Sequence, residues 1–164
     1  MISKEQIQRV HALVDKWGIT DPIKQYVKAG EELSEMLAEP ETSDDKAKEL
    51  ADYYFTLIAL CYQLNLDFMH FYCTASDELF FDDIDLYEDS LTYQHLCLGG
   101  IILKGKDATK SIRECVSTAC LISNFIGMED FQELEQILIK NENKAGETID
   151  GSFIKSEDLK NIKK

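Results

Sequence analysis

The sequence contains little proline and little glycine, the two residues that most often end helices and strands. There are 2 Pro and 8 Gly among 164 residues, whereas hydrophobic residues make up 45%. Such a composition argues against a disordered chain and against an all-β fold, which needs many turns. We therefore expect a single all-α domain over residues 1–164. It should be a bundle of about five to seven helices with a substantial core.

Basic residues are also few. The 17 Lys and Arg face 31 Asp and Glu, which gives a formal net charge of −14. A surface this acidic repels phosphate backbones and anionic lipids, so we expect neither nucleic acid nor a membrane as a partner. Nucleotides remain compatible with this charge, because a bound metal ion reverses the sign of the charge locally.

The cysteines form no recognisable redox or zinc motif. Five Cys are present, an odd number with no Cys-x-x-Cys spacing, and most occupy apolar helical positions, where a free thiol packs as a small hydrophobic group. The N-terminus has no signal-peptide core, and the apolar run over residues 53–62 is too short to span a bilayer. These features predict a reduced, cytoplasmic protein.

Local start and stop signals delimit three helices in the first part of the chain. Ser3, with Gln6 three residues later, is typical of an N-cap, and Asp21 before Pro22 opens a second helix in a similar way. Gly18 is a typical helix stop. The short connection between the second and third helices makes them antiparallel. The predicted helices run over about 3–17, 21–38 and 45–64.

Acidic residues recur at helical spacing on the second and third of these helices. Lys28, Glu32 and Glu35 share one face of the second helix, and Glu49 and Asp52 share one face of the third. The third helix is apolar around most of its circumference and should be buried, so its acids face another element. Because burial of unpaired carboxylates is costly, a helix pair that brings four of them together needs positive charge.

A divalent ion supplies that charge better than Lys28 alone. The donor set contains carboxylate oxygens and no His or Cys, which favours a hard cation such as Mg²⁺ or Mn²⁺ over zinc or copper. Mg²⁺ usually keeps several waters and is completed by substrate phosphates. The pattern therefore indicates phosphate chemistry.

These residues resemble the MazG-like branch of the all-α nucleoside triphosphate pyrophosphohydrolases. The pattern of that family is a Lys, a Glu-Glu-x-x-Glu, a gap of variable length and a Glu-x-x-Asp. The residues that match it in order are Lys28, Glu31, Glu32, Glu35, Glu49 and Asp52, within a match over about residues 20–66. The resemblance implies that the metal ligands are Glu32, Glu35, Glu49 and Asp52, with Lys28 and Glu31 beside them.

The resemblance also implies an activity and an assembly. The expected reaction is Mg²⁺-dependent hydrolysis of a nucleoside triphosphate to the monophosphate and pyrophosphate, with Mn²⁺ as a possible substitute, in nucleotide-pool house-cleaning. Glu35 or Glu31 would take the proton of the attacking water, and Lys28 would add positive charge beside the phosphates. The usual site of the superfamily lies near a subunit interface, which implies a homodimer.

Three further residues are candidates for substrate binding. Asn141 and Lys144 match an Asn-x-x-Lys that the family is thought to place against substrate phosphates. Glu147 and Thr148 depart from the family, because they stand where a basic residue is expected. Trp17, at the end of the first predicted helix, is a candidate for stacking on the base.

Other interpretations stay open. Glu31, Glu32 and Glu35 taken alone would be a solvated face, because they project away from the apolar side of their helix. A dedicated dUTPase or dCTPase of the all-α type shares the same carboxylates. A non-catalytic acidic module that binds a protein or mimics DNA would use the −14 charge and no metal. The predicted apolar side consists of Ile23, Tyr26, Val27, Gly30 and Leu37.

The second half of the chain predicts further helices, over about residues 67–79, 93–103, 107–126 and 131–139. Segment 80–89 mixes aromatic and acidic residues, which suits an acidic loop or a short helix, with a second metal cluster as an alternative. Residues 20–68 and 91–131 look like two copies of one helix pair, the second with Gly99, Gly100 and Leu103 in place of the acids. The pattern thus predicts an internal duplication with a degenerate second copy.

Overall fold

A computed structural model describes residues 1–41, 43–75, 82–128, 131–144, 146–149 and 152–155. Seven helices lie within these ranges, so the predicted all-α class and helix number are confirmed. The helices are α1 (Lys4–Trp17), α2 (Pro22–Ala38), α3 (Asp44–Gln63), α4 (Phe68–Cys73), α5 (Ile84–Ile102), α6 (Thr109–Phe125) and α7 (Gln132–Glu142).

The predicted caps of the first two helices are confirmed. The Ser3 hydroxyl accepts a hydrogen bond from the Gln6 amide, and the Gln6 side chain accepts one from the Ser3 amide, which is a capping box. Gly18 ends α1 in the left-handed conformation with φ 59°, where glycine is favoured. The Asp21 carboxylate accepts from the first amides of α2, which begins at Pro22.

Helices α2 and α3 form the most extensive helix pair, and they run antiparallel. Gln25, near the start of α2, donates a hydrogen bond to the Thr56 carbonyl, whereas Lys46, near the start of α3, donates to the Met36 carbonyl. The first part of each helix therefore contacts the later part of the other helix. As predicted, α3 is buried, and its fully buried Tyr53 and Tyr54 lie in the core against residues of α5 and α6.

The buried face of α2 differs from the predicted one. Ile23 and Val27, predicted to be apolar core positions, are 42% and 53% exposed, whereas Glu32 is only 7% exposed. The alternative interpretation of Glu32 as part of a solvated face is therefore wrong, because α3 packs on that side. The buried residues of α2 are Gln25, Ala29, Glu32, Leu33 and Met36.

A buried lysine that sequence reasoning missed connects three helices. Lys46 of α3 is 2% exposed. Its Nζ donates to the Met36 and Glu39 carbonyls at the end of α2, at 3.3 and 2.7 Å. The same atom lies 2.7 Å from Glu88 Oε1 of α5. Lys46 thus neutralises Glu88 and donates to two carbonyls at the terminus of α2, of which that of Met36 also accepts from the Glu39 amide.

The second half of the chain differs from prediction mainly in the length of its helices. Helix α5 begins at Ile84 with Asp83 as its N-cap, so residues 84–89 are helical turns and not a loop. Helix α4 is shorter than the predicted 67–79, and the part of that prediction over 76–79 lies outside the described residues, as do residues 80 and 81 of segment 80–89. Helices α5 and α6 form the second most extensive pair.

Helices α2 and α5 approach closely at two glycines. A Cβ atom at Gly99 of α5 would overlap the Tyr26 ring of α2, and one at Gly30 would lie 3.1 Å from His95 Nε2. The His95 ring stacks on Tyr26 with centroids 4.6 Å apart, and its burial lowers its pKa to about 4, so the ring is neutral at pH 7. Gly99 is therefore a packing residue, whereas the neighbouring Gly100 faces open space.

Two short strands follow the helices. Strand β1 (Gly146–Ile149) pairs antiparallel with β2 (Ser152–Lys155), and Thr148 is opposite Phe153. The sequence analysis predicted no strand here. The sequence Asp150-Gly151, which is typical of a two-residue hairpin turn, could have predicted this pair of strands. Among the helices of the described ranges, none combines the length and the apolar character needed to cross a bilayer.

Candidate functional site

A cleft of about 800 Å³ lies between α2, α3, α7 and the end of α1. Every residue that the sequence analysis named for catalysis, metal binding or substrate binding lines it. These residues are Trp17, Lys28, Glu31, Glu32, Glu35, Glu49, Asp52, Asn141 and Lys144. Residues more than a hundred positions apart in the sequence thus meet around one volume.

Three carboxylates form the centre of the cleft. Glu32, Glu49 and Asp52 each have an oxygen that lies within 4.8 Å of the other two. Glu49 and Asp52 are one helical turn apart on α3, and the antiparallel packing of α2 brings Glu32 against them. Glu35 lines the same cleft but is not a member of this close group. The structure therefore brings together three of the four predicted metal ligands.

Lys28 bridges two of the acids of its own helix. Its Nζ lies 2.7 Å from Glu32 Oε1 and 2.9 Å from Glu31 Oε2. Burial by itself lowers the pKa of Lys28, but hydrogen bonds to Glu32 and Glu31 outweigh it, and the pKa is raised above its ordinary value. Lys28 is therefore a permanent positive charge beside the carboxylate group.

Both carboxylates of α3 in the cleft have raised pKa values, because burial disfavours their ionised form. Burial, followed by the charge of Glu32, raises the pKa of Asp52 to about 6, against the opposing effect of Lys140 and Lys144. Burial also raises the pKa of Glu49, to which the charges of Glu35 and Glu32 contribute. A site in this state gains stability from a bound cation.

Asp52→Asn is expected to stabilise the protein in EDTA at pH 8, because ionised Asp52 destabilises the metal-free fold. Since the pKa is about 6 in the folded chain and ordinarily 3.8, the folded state binds the proton more tightly, and wild-type stability rises as the pH falls from 6 towards 4. After solvent screening, the variant should gain about 1–2 kcal/mol and about 2–8 °C in Tm.

Thermal unfolding of both proteins in EDTA at pH 8 and pH 4 measures this effect. The difference in Tm should be much smaller at pH 4, which lies well below the folded pKa of about 6 and close to the ordinary value of 3.8. Asp45→Asn, an exposed acid on the same helix, is the matched control and should change Tm little. Equal Tm values for wild type and Asp52→Asn at pH 8 would contradict the prediction.

Five lysines line the cleft, although the chain as a whole is strongly acidic. Sequence reasoning identified Lys28 and Lys144 but missed Lys24, Lys48 and Lys140. Lys140 lies in the last turn of α7 and Lys144 follows that helix, and both lie near enough to Asp52 to lower its pKa. The cleft thus combines a compact negative group with surrounding positive charge.

Apolar and amide groups complete the lining. Trp17 and Phe55 lie with ring centroids 6.4 Å apart, and Ile19 and Val27 add aliphatic surface. Asn141 is 5% exposed, and its Oδ1 accepts no hydrogen bond from the residues that the structure describes. A buried acceptor in this state is expected to have a partner that enters the cleft.

The donor set fits a hard divalent cation. It consists of carboxylate oxygens from two helices, and the pKa values of Asp52 and Glu49 are raised, by burial first and by neighbouring acids second. Within the described ranges, no second group of three such side chains occurs, so the acids at 82–89 form no metal cluster there. No family model, curated protein or solved structure matches the chain.

Proposed function

We propose that the chain is a MazG-like nucleoside triphosphate pyrophosphohydrolase, which hydrolyses a nucleoside triphosphate to the monophosphate and pyrophosphate. The observation that carries the proposal is the composition of one cleft. Three carboxylates with oxygens within 4.8 Å of one another lie in it together with five lysines and two aromatic rings. A metal-chelated triphosphate attached to an aromatic base matches each of these groups.

Mg²⁺, or Mn²⁺ in its place, is the proposed cofactor, and Glu32, Glu49 and Asp52 would hold it, with Glu35 beside them. When bound, such an ion neutralises phosphate charge and lowers the pKa of water. A donor set made of oxygens alone is the reason for choosing these ions. The raised pKa of Asp52 supports the proposal, because a cation at this point removes the cost of its ionisation.

The side chains of the cleft have separate roles in the proposed reaction. Lys28, Lys140 and Lys144 bind the phosphates and oppose the charge that grows on the leaving group. Glu35 accepts the proton of the attacking water, because Glu31 is already paired with Lys28 at 2.9 Å. The water oxygen bonds to the α-phosphorus, the bond from that phosphorus to the α,β-bridging oxygen breaks, and pyrophosphate leaves with the electron pair.

Base recognition is proposed for the apolar part of the cleft. Trp17 and Phe55 are mostly buried, at 7% and 8% exposed, and are proposed to contact the base with the part of each ring that lines the cleft. The unsatisfied Asn141 Oδ1 offers an acceptor to an N–H or O–H group of the substrate. We propose a nucleotide as the ligand and not nucleic acid, given the −14 charge. All five cysteines are free, on which we propose a cytoplasmic location, and the active form is proposed to be a homodimer.

Pyrophosphate release from a panel of ribo- and deoxyribonucleoside triphosphates tests the proposal. We expect release with Mg²⁺ or Mn²⁺ and none with EDTA. Release from a single nucleotide, dUTP or dCTP, would identify a dedicated dUTPase or dCTPase of the all-α type. Release from many nucleotides would identify a house-cleaning enzyme of broad specificity. No release from any nucleotide, together with no Mg²⁺-induced rise in Tm, would overturn the proposal and favour an acidic binding module.

A further inference from the structure

The exposed side of α5 changes charge along its length. Asp85 and Asp89 are exposed in its first half, and Lys104 and Lys106 are exposed two and four residues after its last residue, Ile102. Between Asp89 and Lys104 the chain contains no Asp, Glu, Lys or Arg. The helix thus presents an acidic end, an uncharged middle and a basic end. The basic end also carries Asp107, whose carboxylate accepts hydrogen bonds from Thr109.

The uncharged middle of α5 is an exposed apolar surface. Tyr93 is 69% exposed and Leu96 is 65% exposed. Cys97 and Gly100 are exposed beside them, and Gly100 has open space where a side chain would stand. Spacings of three and four residues keep these groups on one side of the helix. Exposed apolar surface of this kind usually marks an interaction site.

We infer that two copies of the chain associate through this face of α5, with the two helices antiparallel across a two-fold axis. The antiparallel arrangement places the acidic end of each helix beside the basic end of its partner. It also buries the uncharged middles against each other. A two-fold contact uses the same surface on both copies, so α5 and the residues that follow it to Lys106 supply both signs of charge that the contact needs.

Charge and size together determine the register of the contact. Pairing Tyr93 with Gly100 of the partner subunit sets the largest exposed ring of the face over its smallest residue. The same register brings Asp89 opposite Lys104 of the partner subunit and leaves Leu96 and Cys97 beside the axis. Both the apolar and the charged groups are therefore complementary in one arrangement.

A second copy fits this surface better than another partner does. Two chains that each carry −14 repel each other, and a stable contact needs a surface that brings opposite charges together. The face of α5 does so with itself, whereas a uniformly basic or acidic partner would match only one of its ends. No residue of α5 lines the cleft, so each copy keeps its own site.

Light scattering on the full chain tests the inference through the charged pair. We expect wild type to have twice the 18.8 kDa chain mass. Asp89→Lys and Lys104→Glu should each weaken dimerisation by about tenfold or more, because each places like charges together twice in the dimer. The double variant Asp89→Lys/Lys104→Glu should restore it. Glu5→Lys, the same change in net charge on α1, is the control and should leave the dimer intact.

Cross-linking tests the position of the axis. A short bis-maleimide should join two wild-type chains through Cys97. Cys97→Ser should abolish the joined product, whereas Cys73→Ser, which removes the other exposed thiol, should not. All of the substituted residues are exposed, so circular dichroism should show the same helical content for every variant.

A monomeric wild type would overturn the inference. So would a dimer that Asp89→Lys leaves intact, or a double variant that stays monomeric, because either result would place the contact elsewhere. Cross-linking that depends on Cys73 would also contradict it. These measurements need no nucleotide or metal, so their outcome is separate from that of the proposed hydrolysis.

Discussion

Glu32→Gln and Asp52→Asn are each expected to abolish pyrophosphate release, with a loss of about 10²–10³-fold or more. Either change removes one anionic donor from a group of only three while keeping the size of the side chain, so the fold should not be disturbed. Helical circular dichroism should therefore match wild type. Mg²⁺ should raise the Tm of wild type and should raise that of either variant much less.

Asp45→Asn provides the matched control for these variants. Asp45 is an exposed acid on α3, one turn before Glu49, and it does not line the cleft. The same chemical change at this position should leave pyrophosphate release within twofold of wild type, by general expectation for surface sites. Full activity in Glu32→Gln or Asp52→Asn would show that the carboxylate group is not a catalytic metal site. A loss in Asp45→Asn as large as theirs would show a general electrostatic effect.

Lys46→Met is expected to destabilise the fold by about 3–5 kcal/mol, the typical cost of removing one partner from a buried ion pair. The methionine fills most of the space of the lysine stem but removes the ion-pair partner of Glu88, since Lys46 Nζ is 2.7 Å from Glu88 Oε1. It also removes the donor to the Met36 and Glu39 carbonyls at the end of α2. Urea unfolding followed by circular dichroism measures the loss.

Two further variants separate the cause of that loss from a general effect of losing a lysine. Lys48→Met, two residues along the same helix, removes an exposed side chain whose ion pairs are 3.7 Å long and should cost less than about 0.5 kcal/mol. The double variant Lys46→Met/Glu88→Leu removes the orphaned charge and should recover much of the stability. A double variant as unstable as Lys46→Met would mean that the carbonyl contacts, and not Glu88, account for the loss.

Fold class and helix ends were predictable because their causes are local. Ser3 and Asp21 cap their helices with their own side chains, and Gly18 ends α1 through its own backbone conformation. The burial of α3 was predictable as well, because apolar residues surround the helix whichever neighbours it has. The start of α5 was predicted nine residues too late, since aromatic and acidic residues obscured the helical period over 84–92.

The candidate site was predictable in its residues and less so in its geometry. The spacing of Glu32, Glu49 and Asp52 on an antiparallel helix pair predicted that they meet, whereas the distance of Glu35 from their group depends on how the two helices are rotated. Lys48 and Lys140 could not be singled out, because an isolated lysine on a helix has the same pattern whether it faces water or a cleft.

The sequence by itself determined the class of the fold, the ends of most helices and the helix pair that carries the acids, because capping and helical periodicity act within one or two turns of the chain. Only the tertiary structure decided which face of α2 is buried, that Lys46 neutralises Glu88, and that α7 brings Asn141 and Lys144 to the carboxylates. These outcomes depend on how helices far apart in sequence rotate and pack against each other. No local pattern encodes that choice, since it is made by the summed burial and charge of the whole bundle.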